Sequence, residues 1–257
     1  MEILNWDHSM LNIQDLDQAI ADFKAVGVIF ARGGRHEAWG TANALGYFGL
    51  NYIELITVDD RQKAQSVQRS DAASVYDAIQ DFKHQRERFN TVAIRTSDIQ
   101  ATWQRLRSAD IKVGPIQEGQ RRDEQGHLIS WTIFFIDDTI AGLPYPFFIN
   151  WQMSDAERTA QLKAQQLLVS HSIGNILVHE GVFKVSNPQA VAERWAQMLN
   201  STASQQNEDW IVPIQERQFR FIQGDENHLV TLRFKGATVK NLPQTLQFGT
   251  AKLVFEA

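Results

Sequence analysis

The sequence predicts an α+β protein assembled from repeated βαβββ units whose strands curl into a cup. Three observations carry this. An apolar stripe of one spacing recurs in three helical segments: Leu16, Ile20 and Phe23; Ile99, Trp103 and Leu106; Val191, Trp195 and Met198. Each stripe follows a residue whose side chain caps a helix: Asp15, then Ser97 or Asp98, then Asn187 with Pro188 at the first helical position. Each helix has one strand-like apolar run before it and several after it, so the order strand, helix, strands repeats three times.

Taken in order, the first unit opens with a strand over Ile3–Ile13 and a helix over Leu16–Val26, stopped by Gly27. Strands are expected at Val28–Ala31, Thr41–Phe48 and Asn51–Val58, with the polar stretch Gly33-Gly34-Arg35-His36 as the loop entering the second of them. A helix over Ala72–Arg88, with Val75, Ile79 and Phe82 on one face, joins the units. The second unit reads as a strand at Thr91–Thr96, a helix from Ile99, and strands at Lys112–Gln117, Leu128–Ile136 and Phe147–Trp151. Ser154 caps a polar helix over Asp155–Leu168, read as an exposed connector that holds the domain boundary. The third unit is more divergent: strands are expected at Ile176–Val185, Trp210–Pro213, Phe219–Ile222, Leu229–Phe234 and Leu246–Phe255. A βαβββ sheet has one apolar face and open edges, so it must pair with another unit. Residues 1–153 therefore form one cupped domain from units 1–60 and 89–153, joined by helix 72–88. Residues 154–168 connect it to a smaller α/β unit over 169–257, which packs alongside or pairs with a second chain as a homodimer.

Composition narrows the function. The 257 residues carry a formal net charge of −5 and no cysteine. Thiolate metal sites, disulfides and Cys nucleophiles are excluded. Basic residues are interleaved with acids, as in His84-Gln85-Arg86-Glu87-Arg88, so no nucleic-acid partner is expected. No apolar run is long enough to span a bilayer, and the N-terminus lacks a basic region followed by an apolar one; a cytoplasmic protein is the expectation.

The residues that suggest a site lie in the first unit. Glu54 is a lone carboxylate inside the apolar run Tyr52-Ile53-Glu54-Leu55-Ile56, and burying it is costly without a partner. Arg35 presents a planar fork suited to an anionic group, or else is a solvated turn residue. Asn43 shares a strand face with Thr41, Leu45 and Tyr47; it either contacts a ligand or satisfies nearby backbone. Trp39, Trp131 and Trp151 are pocket walls or plain core. His84, His127 and His228 sit in polar stretches and read as surface. Neither His36-Glu37 nor His179-Glu180 has the second histidine of a zinc-protease motif.

Asp7-His8, Asp15-Leu16-Asp17-Gln18-Ala19, Gly33-Gly34-Arg35-His36, Trp39-Gly40-Thr41-Ala42-Asn43-Ala44-Leu45 and Tyr52-Ile53-Glu54-Leu55-Ile56 together resemble the glyoxalase-like domain family of the vicinal oxygen chelate superfamily. The resemblance covers Leu4 to Trp151. It implies a cup that binds a small oxygen-bearing metabolite, with lyase, isomerase or dioxygenase chemistry, or a metal-free sequestering protein of the bleomycin-resistance type. It implies His8 and Glu54 as first- and last-strand ligands of a divalent metal (Zn, Fe, Mn or Ni), or as a metal-free pair that is either catalytic or purely structural. Arg35, His36, Trp39 and Asn43 would then bind substrate. In the second unit the matching positions fall at Phe89, Asn90 or Thr91 and at Ile149 or Asn150, none of them a strong ligand. His179-Glu180 lies near the register of His8 in the third unit.

Overall fold

The computed structural model describes residues 2–122, 126, 128–239 and 244–257. The first unit is β1 (Leu4–Asn12), α1 (Leu16–Ala25), β2 (Ala31–His36), β3 (Thr41–Phe48) and β4 (Asn51–Val58). Helices α2 (Arg61–Ala64) and α3 (Ala73–Lys83) lead into β5 (Arg88–Thr96), α4 (Ile99–Ser108), β6 (Gln117–Arg122) and β7 (Leu128–Phe134). The short pair β8 (Thr139–Ile140) and β9 (Leu143–Pro144) precedes β10 (Phe147–Asn150) and α5 (Asp155–Ala164). The rest is β11 (Gly174–Val185), α6 (Pro188–Leu199), β12 (Ser204–Gln206), β13 (Asp209–Ile214), β14 (Arg217–Gln223), β15 (His228–Ala237), β16 (Gln244–Phe248) and β17 (Ala251–Phe255).

The three repeated helices start by the same chemistry. Asp15, Asp98 and Asn187 accept from the backbone N–H of Gln18, Ala101 and Ala190, satisfying an otherwise orphaned donor in each first turn. The first two units close on each other within one chain, as an eight-stranded barrel in the order β1-β4-β3-β2-β6-β7-β10-β5. Antiparallel pairing of β1 with β5 makes one seam, and Arg35 opposite Arg122 on β2 and β6 makes the other.

Two expectations about strands are corrected. Gly33-Gly34-Arg35-His36 is not a loop but most of β2, with a bulge between Arg32 and Gly34. The glycines are there for close approach. A Cβ on Gly33 would collide with Asn43 Oδ1, and Gly34, at φ +124°, lies against the Arg122 carbonyl. The strand expected at Lys112–Gln117 lies further on, at β6, leaving only an isolated bridge from Val113 to Ile136.

The third unit also differs from its reading. Its βαβββ order ends at β14, and β15 to β17 begin a fourth unit. β15 runs antiparallel to β11 as β5 does to β1; β17 pairs parallel with β15 as β10 does with β5; β16 pairs antiparallel with β17 as β7 does with β10. No helix falls between β15 and β16 among the described residues. The result is an open seven-stranded sheet, β12-β13-β14-β11-β15-β17-β16. Its edges are the feature on which a homodimer would rest.

That sheet packs on the outside of the barrel. Trp6 meets Phe219 at 4.6 Å, Phe48 meets Phe234 at 4.9 Å and Phe23 meets Phe248 at 5.1 Å between ring centroids, all within one continuous core. His171 fastens the two: its Nδ1 accepts from the Ile29 N–H at 3.0 Å and its Nε2 donates to the Tyr47 carbonyl at 2.8 Å. Trp6 is fully buried at this junction. Trp6→Ala is expected to destabilise the chain by about 3–5 kcal/mol in urea denaturation; a loss below about 1 kcal/mol would mean the two layers do not share a core.

A second core fills the barrel interior, with Val75, Ala78 and Ile79 of α3 and Leu162 of α5 closing it. α5 is thus more than an exposed connector. Most of it is solvated, but Arg158 and Leu162, one turn apart, are buried toward the barrel. No helix of the described residues is long and apolar enough to cross a membrane.

Candidate functional site

The barrel interior holds a small, largely apolar cavity of about 50 Å³, also lined by a few polar side chains. His8 on β1 and Glu54 on β4 are both buried there, with Nε2 and Oε2 3.5 Å apart. Behind His8 stands Asp7. Adjacent strand residues normally face opposite ways, but β1 is bulged between Trp6 and His8, and Asp7 Oδ1 accepts from His8 Nδ1 at 2.8 Å. The second Asp7 oxygen accepts from Trp151 Nε1 and Arg95 Nη1, each at 3.1 Å. Arg95 in turn holds Asp155 at the start of α5 by a fork at 2.9 and 2.8 Å.

This network sets the charges. Burial pushes the His8 imidazole down, but the Asp7 hydrogen bond and the two flanking carboxylates outweigh it, so the net shift is upward and the cation is favoured. Burial raises Glu54, yet His8 together with the 2.7 Å bond from Asn43 Nδ2 brings it down to about 2. Asp7 is held well below the usual carboxylate range: burial raises it, and His8, Arg95 and Arg158 more than offset that. Asp7, His8 and Glu54 stand in a row, with the imidazole between the two carboxylates. Tyr52 stacks on His8 at 4.4 Å and is kept neutral, its pKa well above 10, chiefly by burial.

His36 also faces the cavity. Its Nε2 is 3.9 Å from Glu54 Oε1, its Nδ1 is 3.0 Å from Thr41 Oγ1, and burial lowers its pKa, favouring the neutral ring. Trp39 lines the rim, with ring centroid 5.5 Å from that of His36. Arg35 is not brought to the site. It alternates outward on β2, is 64 % exposed, and pairs with Asp59 at 2.6 Å. Arg121, two positions into the facing edge of β6, occupies the interior instead; it is buried and its guanidinium bonds the Gly33 carbonyl.

Asp7, Arg95, Arg121 and Arg158 are the residues that sequence reasoning missed. Only Asp7 carried a local signal, its adjacency to His8. Of the three histidines read as surface, His84 is exposed and His127 lies outside the described residues. His228 is half-buried, and desolvation pulls its pKa to about 4.

Register decides whether a divalent metal fits. Counted back from the helix caps, His8, Thr91 and Glu180 hold one position in successive units. Two residues on, Met10 pairs with Glu54, Ala93 with Phe147, and Val182 with Arg220. The second unit therefore offers Thr91, whose hydroxyl donates to the Tyr145 carbonyl, and Phe147, whose ring packs edge-on to His8 at 5.4 Å. Phe147, not Ile149 or Asn150, stands where Glu54 stands. The third unit turns the pair into a Glu180–Arg220 ion pair of 2.9 Å, and His179 is displaced from the register it was read into. In the barrel Glu54 Oε1 already accepts from Asn43 Nδ2, and Oε2 faces His8 Nε2. Among the described residues no group of three or more His, Asp or Glu is placed to hold an ion. The donor set does not fit a resident metal.

A family model described as "Glyoxalase-like domain" matches residues 6–199. Among solved structures, a hypothetical protein from Staphylococcus aureus superposes with TM-score 0.85 at 24 % identity, covering 99 % of both chains. A mutant of 4-hydroxymandelate synthase from Streptomyces coelicolor gives TM-score 0.52 at 11 % identity, over 91 % of this chain and 71 % of that one. At these identities the likeness is one of fold alone. No curated protein matches.

Proposed function

The chain belongs to the glyoxalase-like domain family of the vicinal oxygen chelate superfamily, and from that premise we propose that its barrel binds a small oxygen-bearing metabolite and exchanges a proton on it, with Glu54 as the base and His8 on the oxygen. The observation that carries this is the 3.5 Å separation of His8 Nε2 and Glu54 Oε2, backed by Asp7. It exceeds the ~3.2 Å reach of a good N–H···O bond, so an incoming oxygen can compete for the His8 N–H. A carbonyl oxygen there would be stabilised by the imidazolium as negative charge develops on it. Once His8 turns to that oxygen, the interaction that depresses Glu54 weakens, and burial then makes the carboxylate a stronger base. Glu54 takes the proton from the carbon beside the carbonyl, His8 holds the enolate oxygen that forms, and the proton or a solvent-exchanged one returns to that carbon, a step that needs no ion. Asn43 and His36 orient Glu54, and Trp39 lines the entrance.

The test is deuterium incorporation from D₂O into a panel of small enolisable carbonyl compounds, followed by NMR. Exchange is expected to fall by about 10²–10⁴ in His8→Gln and Glu54→Gln. Equal exchange in wild type and both variants removes the reading. Metal content is the companion measurement: no stoichiometric Zn, Fe, Mn or Ni is expected, and an ion lost in both His8→Ala and Glu54→Ala would overturn the metal-free version. The apolar, aromatic lining also favours a second reading, a sequestering protein, whose signature is saturable binding without any exchange.

A further inference from the structure

Three arginines are buried at or behind the cavity: Arg95, Arg121 and Arg158. Arg95 is fully engaged by Asp7 and Asp155. Among the described residues, the contacts of the other two guanidinium groups are with neutral groups. Arg158 lies 3.4 Å over the Trp151 ring with its Nε buried and without a hydrogen-bond partner, and Arg121 bonds the Gly33 carbonyl. Burying an arginine this way is costly unless an anion completes the site.

Two neutral polar groups lie beside the same space, Trp131 Nε1 on its Gly119 side. Ser74 Oγ and Trp131 Nε1 are buried without hydrogen-bond partners, and both residues line the cavity with Arg121. Orphaned buried polar atoms are rare in folded proteins, and several around one cavity mark a site for a polar ligand. The volume limits what enters: about 50 Å³ is roughly a third of a cavity that takes benzene, so it admits the head of a ligand rather than a drug-sized molecule.

We propose that the cavity takes a ligand carrying one small carboxylate, held by Arg121 with Ser74 Oγ and Trp131 Nε1 as neutral partners, across the cavity from His8 and Glu54. Carboxylate is the group that matches a guanidinium fork with a single charge in so little space. A hydroxyl and an indole N–H beside it supply the remaining donors. Arg158, behind Trp151, adds to the positive field without touching the ligand. The inference deepens the proton-transfer reading, because it takes the same cavity as the ligand site, but it concerns recognition and stands apart from catalysis.

The experiment measures binding, not turnover. Acetate, glycolate and pyruvate are each titrated against their amides at constant ionic strength, following tryptophan emission, since Trp39, Trp131 and Trp151 line the cavity. The carboxylates are expected to bind saturably and the amides at least about tenfold more weakly. Arg121→Met should erase the preference, while Arg121→Lys, which keeps the charge without the fork, should retain part of it. His8→Gln should abolish deuterium exchange yet leave a preference for carboxylate. Thermal melts on each variant show that it is folded. The proposal is overturned if none of the three carboxylates binds, if amides bind equally well, or if folded Arg121→Met keeps the preference. Absence of exchange in the wild type, with the preference intact, would sink only the catalytic reading.

Discussion

Asp7→Asn is expected to destabilise the protein by about 3–5 kcal/mol, one of the largest effects of any single side-chain change in the barrel. Asp7 is fully buried and meets three donors: His8 Nδ1, Arg95 Nη1 and Trp151 Nε1. Asparagine keeps the shape but removes the charge, and its NH₂ turns a donor toward groups that are themselves donors. Two cations, His8 and Arg95, would then share only Glu54 and Asp155 as counter-charges in a low-dielectric interior. The loss also reaches the chemistry. Without the Asp7 hydrogen bond, desolvation lowers the His8 pKa, which ring-proton NMR reads directly. The Arg95–Asp155 fork ties Asp7 to α5, so the variant should loosen that helix as well. Urea denaturation gives the stability; a loss under about 1 kcal/mol would mean that the Asp7 charge is not needed to hold His8 and Arg95, and the row of three is not a stability element.

The wild type is expected to lose about 3 kcal/mol of stability on acidification that Glu54→Gln does not lose. Glu54 falls from an ordinary 4.5 to about 2 in the folded chain, and its side chain is only 10 % exposed, so solvent screening removes little of the effect. A depressed carboxylate binds its proton more readily when unfolded. Its stabilisation is therefore complete above the unfolded pKa, near 4.5, and drains away as pH falls toward 2. Asp7 acts in the same direction and remains in the variant, so both proteins weaken in acid, the wild type more steeply. His8 has the opposite sign. Its pKa is raised on folding, so its contribution is complete below 6.5 and is lost as pH rises through the folded value. The wild type should therefore be most stable between these limits. Denaturant midpoints across the acid range decide the matter: parallel acid limbs for wild type and Glu54→Gln would show that Glu54 is not held low by His8.

Much of the fold was legible in the chain. The stripes of Leu16, Ile20 and Phe23 and their two copies mark helices because a 3.6-residue period is fixed by local covalent geometry, and the caps Asp15, Asp98 and Asn187 act on backbone a few residues away. A carboxylate in Tyr52-Ile53-Glu54-Leu55-Ile56 signalled a partner because burial energetics need no knowledge of topology. Gly33-Gly34 misled, because glycine marks a turn and a close strand contact alike. Only the neighbouring Asn43 and Arg122 carbonyl distinguish them.

By itself, then, the sequence determined the α+β class, the repeat, and Glu54 as a lone carboxylate in an apolar run; the family resemblance supplied His8 as its candidate partner. Tertiary structure alone decided the rest. Strand register placed Phe147 where a second carboxylate would stand, and barrel closure exchanged the outward Arg35 for Arg121. A one-residue bulge turned Asp7 onto His8 against the usual alternation. Each of these depends on pairing between strands far apart in the chain, and a slip of one residue moves every side chain to the other face, so local periodicity cannot fix them.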